Sequence, residues 1–102
     1  MQVQRLEFEV KRGCLPEALT LVKEMLSQSG ILPVRRVYTS RIGQQNMLAV
    51  ELEWESLAEY EKGWARWTAT PEAAAFLKRW DELVAKGDEE IWDSPSYPAP
   101  GK

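Results

Sequence analysis

The sequence predicts an α+β domain of the ferredoxin-like βαββαβ type, with a four-stranded antiparallel sheet and its helices on one face. Three observations lead there. The segments Val3–Val10 and Met47–Trp54 alternate apolar and polar residues with the period of two that marks a half-buried strand. Two longer stretches, from Leu15 and from Leu57, carry apolar residues at helical spacing. Along the chain the two patterns follow the order strand, helix, strand, strand, broken helical region, strand, which is a split βαβ arrangement.

In the first strand Leu6, Phe8 and Val10 share one face, and Arg5, Glu7 and Glu9 the other. Lys11-Arg12-Gly13 turns the chain. Pro16 and Glu17 then occupy a first helical turn, where a fixed φ and a negative charge are favourable. Leu15, Leu19, Val22 and Leu26 make the apolar stripe of this helix, and Gly30 is placed to end it.

Val34–Ile42 reads as the second strand, although the adjacent Val37 and Tyr38 leave open which phase faces the core. Gly43-Gln44-Gln45-Asn46 supplies a hairpin loop. The strand after it carries Leu48, Val50, Leu52 and Trp54 on one side and Met47, Ala49, Glu51 and Glu53 on the other.

Ser56 and Glu59 have the spacing of a helix-capping box, and Leu57, Tyr60, Trp64 and Trp67 recur behind them at helical intervals. Thr70-Pro71-Glu72 signals a fresh start, breaking the second helical region near Thr70-Pro71. From there Ala73, Phe76, Leu77, Trp80, Leu83 and Val84 form one stripe up to Gly87, and Glu89–Asp93 is expected to be a short last strand. Trp54, Trp64, Trp67 and Trp80 all fall where packing explains them. The domain thus spans residues 1–93, with 94–102 an irregular proline-rich tail.

Composition narrows the function. A net charge of −3 argues against nucleic acid, whose phosphates require a basic stripe. Arg35, Arg36 and Arg41 are the one basic cluster, explained by a solvated strand edge or internal ion pairs. The single cysteine, Cys14, fits a reducing compartment and reads as a small packed side chain. With no histidine the chain has no Ser-His or Cys-His dyad and no histidine-ligated haem or zinc, so neither a metal nor a cofactor is expected. No signal-peptide core or membrane-length apolar run occurs, and the expected location is the cytoplasm.

The outer sheet face holds the remaining chemistry. It is either a wet surface of paired charges or a face that closes on a second copy around a cavity able to take a small molecule. Glu7 with Glu9 and Glu51 with Glu53 are i, i+2 pairs that point the same way, a pattern that can hold a cation but that solvated strands also produce.

The run Gly13-Cys14-Leu15-Pro16-Glu17, then Arg36-Val37-Tyr38-Thr39-Ser40-Arg41-Ile42-Gly43 with Asn46, then Val50–Trp54 leading into Leu57-Ala58-Glu59-Tyr60-Glu61, with Trp67, Pro71-Glu72 and Phe76, resembles the NIPSNAP-like branch of the dimeric α/β barrel superfamily. The resemblance implies a homodimer whose two sheets face each other, helices outside. It also implies relatives that include cofactor-free monooxygenases, isomerases and haem-handling enzymes. Two functions follow as expectations. The first is a dimer that binds or transforms a small molecule, lined by Arg36, Tyr38, Asn46 and Glu51, the arginine orienting an anion and the tyrosine or glutamate handling a proton. The alternative is a non-catalytic protein-interaction domain that docks a partner through aromatics such as Trp92 and Tyr97.

Overall fold

The structure is a computed structural model that describes residues 1–28 and 30–94, with only the backbone of 26–28 described. Leu26 of the first helical stripe, Tyr97 and residues 95–102 of the expected tail lie outside the described residues or side chains. The elements follow the order β1 (Gln2–Val10), α1 (Leu15–Gln28), β2 (Val34–Thr39), β3 (Met47–Trp54), α2 (Leu57–Thr68), α3 (Pro71–Leu83) and β4 (Val84–Asp93). The four strands pair antiparallel in the order β2-β3-β1-β4, the ferredoxin-like topology.

Alternation divides the sheet as expected. Gln4, Leu6, Phe8 and Val10 of β1 and Leu48, Val50, Leu52 and Trp54 of β3 face the helices, whose Ala18, Val22, Trp67, Ala73, Trp80 and Leu83 complete the core. A continuous series of rings crosses that core. It runs Tyr60, Trp54, Trp64, Trp67, Phe76, Trp80 and Phe8, with neighbouring centroids 5.0 to 6.5 Å apart. Most pairs meet edge to face, an arrangement worth about 0.5–1.5 kcal/mol per pair beyond burial.

Helix starts obey local chemistry. The Ser56 hydroxyl accepts from the Glu59 N–H at 3.2 Å, and the Thr70 hydroxyl accepts from the Ala73 N–H at 3.3 Å, with Pro71 opening α3. Helix and strand ends differ from expectation in three places. Gly30 has no left-handed φ, so it is not the cap expected of it. β2 stops at Thr39 rather than Ile42, and the next residue, Ser40, donates its N–H to Met47 O at the mouth of the hairpin.

The helical stripe also stops earlier than Gly87. α3 ends at Leu83 and the chain passes directly into β4, because Val84 pairs with Val10 and Leu83 O accepts the Lys11 N–H at 2.8 Å. Gly87 therefore lies in a strand opposite Phe8, where an added Cβ would come 3.0 Å from the ring.

The phase of β2 is settled by a bulge. Val34 pairs with Leu52 but Arg36 pairs with Glu51, leaving Arg35 as an extra residue. That insertion lets Val34 and Val37 both face the core while Arg35, Arg36 and Tyr38 project from the outer face.

Candidate functional site

The outer face is organised around Arg5, at the middle of β1. Its Nε donates to Glu7 Oε1 at 2.9 Å and its Nη1 donates to Glu51 Oε2 at 3.0 Å, across to β3. Tyr38 of β2 donates its hydroxyl to the other Glu51 oxygen at 3.3 Å, and the Arg5 guanidinium lies 5.6 Å from the Tyr38 ring centre. Three strands thus contribute to one half-buried cluster.

Charge in the cluster is fixed by these contacts. The hydrogen bond to Glu7, together with the nearby Glu51 carboxylate, outweighs desolvation and raises Arg5 above its ordinary pKa. The Tyr38 oxygen, then Glu51, likewise raises Arg36. Arg36 is exposed and makes no ion pair at bonding distance among the described residues, its guanidinium lying beside the Tyr38 oxygen. Arg35 differs, since its Nε lies 3.2 Å from Glu53 Oε2.

Two shallow hollows flank Arg5. One, of about 290 Å³, lies over Tyr38, Met47 and Ala49, and the other, of about 520 Å³, over Val3, Glu51 and Trp92. Ala49 is only 7% exposed, which gives the floor of the first an apolar patch beside the charges.

Of the residues expected to line a site, the fold brings Arg36, Tyr38 and Glu51 together on this face. Asn46 is elsewhere. It precedes β3 in the left-handed region at φ 59°, and its carbonyl accepts the Val10 N–H at 2.8 Å. Five strand positions separate it from Glu51, roughly 17 Å at about 3.4 Å per residue. Arg5 is the central residue the sequence reading did not single out as lining. Its outward phase was readable from alternation, but its pairing with Glu51 depends on the β1–β3 register. The i, i+2 carboxylate pairs do not assemble a metal site, since among the described residues no group of three potential ligands converges. Glu9 instead accepts from Gln44 Nε2 at 3.2 Å.

The NIPSNAP family model matches residues 8–96. The chain belongs to the NIPSNAP family. Solved NIPSNAP structures agree in fold. One is a NIPSNAP family protein from Agrobacterium tumefaciens, with TM-score 0.86, 20% identity and 99% of this chain and 98% of that one covered. Another is an uncharacterised NIPSNAP domain protein from Burkholderia xenovorans, with TM-score 0.85, 16% identity and coverage of 97% and 99%. Outside the NIPSNAP proteins, an antibiotic biosynthesis monooxygenase superposes with TM-score 0.68 at 12% identity, covering 94% of this chain and 100% of that one. At such identities the likeness is one of fold. No curated protein matches the chain at a significant level.

Within the NIPSNAP fold seen here, no helix of the described residues is long and apolar enough to cross a membrane.

Proposed function

We propose that this NIPSNAP protein is a homodimer in which the outer sheet faces of two copies close over a small molecule bearing an anionic group. The observation that carries the reading is the Arg5–Glu7–Glu51–Tyr38 cluster, a prearranged polar floor with the exposed Arg36 beside the Tyr38 oxygen. Arg36 supplies a planar fork suited to a carboxylate, and Tyr38 and Met47 supply an apolar surface for the rest of the ligand. Held by Glu7 and Glu51, Arg5 costs little ordering on binding. Likeness in fold to an antibiotic biosynthesis monooxygenase supports an enzymatic version without a cofactor, in which Tyr38 or Glu51 handles a proton, though only by analogy.

Sedimentation of the purified protein, followed by thermal-shift screening with small aromatic carboxylates, tests this. The expected result is a dimer whose melting temperature rises with ligand, and a rise that disappears in Arg36→Gln. A monomer with no ligand response would sink the reading.

Trp92 favours a second reading, a non-catalytic protein-interaction domain, because its indole is 59% exposed on the same face. If Trp92→Ala leaves dimer and ligand response intact, the indole is free to serve a protein partner.

A further inference from the structure

The register of the sheet aligns one charged residue from each strand across the middle of the outer face. Arg36 of β2 pairs with Glu51 of β3, Glu51 with Arg5 of β1, and Arg5 with Glu90 of β4. Strand order makes this a row that alternates positive, negative, positive, negative from one sheet edge to the other. The two inner members are joined by the Arg5–Glu51 ion pair. The outer members, Arg36 and Glu90, are exposed, and neither makes an ion pair at bonding distance among the described residues. Three strand spacings, roughly 14 Å, keep them from meeting within one chain.

Two copies that meet by their outer faces have two choices of two-fold axis. An axis along the strands lays β2 of one copy over β4 of the other, and β3 over β1, with the row kept in place. Every member then meets its opposite, Arg36 over Glu90 of the partner subunit and Glu51 over the partner's Arg5. An axis along the row lays each strand over its own copy and sets like charge on like at every position, which opposes association. Stacked sheets lie about 10 Å apart, within the joint reach of an arginine and a glutamate. Aligned sheets cross at about 30°, which shifts an edge strand by roughly one residue.

Neighbouring rows make the same choice. Tyr38 and Asp88 end the next row, so an axis along the strands sets the phenol over the partner's Asp88. On the other side Trp92 shares a row with Val3 and Glu53, and Glu53 holds Arg35. The exposed indole is then covered by the partner's Arg35, a favourable contact between a cation and a ring.

We infer that the two copies associate about an axis along the strands, with Arg36 of each paired to Glu90 of the partner subunit at the two rims of the shared cavity. The inference rests on the homodimer proposed above and adds a partner residue to its site. The hollow over Tyr38, Met47 and Ala49 lies to one side of the row, so the rim pairs bound the cavity without filling it. The guanidinium has donors on more than one edge, enough for the partner's Glu90 and a ligand carboxylate together.

Sedimentation equilibrium of the ligand-free wild type, Arg36→Glu, Glu90→Arg and the variant carrying both substitutions tests the axis. Each single substitution sets like charges together at both rims and raises the dimer Kd by at least about tenfold, less at high salt. The double substitution restores opposite charges at both rims and returns the Kd to within about threefold of the wild type, which also excludes misfolding as the cause of the loss. Single variants that dimerise as tightly as the wild type, or a double variant no tighter than the singles, overturn the inference and leave the homodimer standing. A monomeric wild type overturns both.

Discussion

The indole of Trp54 lies directly against Gly63 of α2, where a methyl group built on the glycine would come within 2.2 Å of Trp54 Cζ3. Glycine in the middle of a helix is unfavourable by about 1 kcal/mol relative to alanine, so the close approach explains its presence. Trp54 cannot swing aside freely, because its Nε1 is bonded to Gln4.

Gly63→Ala is therefore expected to lower stability by about 2 kcal/mol, the overpacking cost exceeding the gain in helix propensity. Urea denaturation measures it. A stabilised variant would show that the indole has room to move.

Gln4→Met keeps the side-chain volume but removes the oxygen that accepts from Trp54 and Trp64. The buried Trp54 donor and the half-buried Trp64 donor would be orphaned, and with the unpaired Gln4 Nε2 removed at the same time the net cost is about 2 kcal/mol. Chemical denaturation gives the loss, and a change below about 0.5 kcal/mol would mean that the indoles find other acceptors.

Tyr60 gives the fold a dependence on alkaline pH. Its hydroxyl donates to Glu89 Oε1 at 2.7 Å, and that bond, with burial and the carboxylate charge adding to it, pushes its pKa up to about 12 from 10.0. The folded state holds this proton more tightly than the unfolded chain does. The stabilisation is thus fully present below pH 10.0 and is lost as pH rises toward about 12. Denaturation midpoints across that window should fall more steeply for the wild type than for Tyr60→Phe. Tyrosinate absorbance of Glu89→Gln should titrate earlier than that of the wild type, and superimposable curves would remove Glu89 as the cause.

Arg5 joins β1 to β3 through ion pairs that remain partly wet, with Arg5 35% and Glu51 23% exposed at their side chains. Replacing it with leucine leaves Glu7 and Glu51 without their cation, yet screening keeps the expected loss near 1 kcal/mol. That loss shrinks in 1 M salt, where the Debye length is about 3 Å. A loss independent of salt would show that Arg5 acts through packing of its stem.

Much of this fold is legible in local chemistry. Alternation assigned both faces of β1 and β3, and the cap residues Ser56 and Thr70 marked the starts of α2 and α3. Trp54, Trp67 and Trp80 are buried as packing required, and Arg36, Tyr38 and Glu51 share a face. Asn46 lies apart from these three, and its left-handed φ serves the turn, a role a loop asparagine takes as readily as ligand contact. The extent of β4 was underestimated because Val84 continues the apolar stripe of α3 while its backbone pairs with Val10.

Periodicity is a property of neighbours in sequence, so the chain by itself determined which elements form, where α2 and α3 begin and which side of each regular strand is apolar. Register and bulges belong to the pairing of strands distant in sequence. Only the tertiary structure decided that Arg35 is the extra residue that turns both Val34 and Val37 inward, and that Arg5 meets a carboxylate 46 residues away. The same holds for Gln4, a polar residue in an apolar phase, whose place is fixed by two indoles that approach it from β3 and α2.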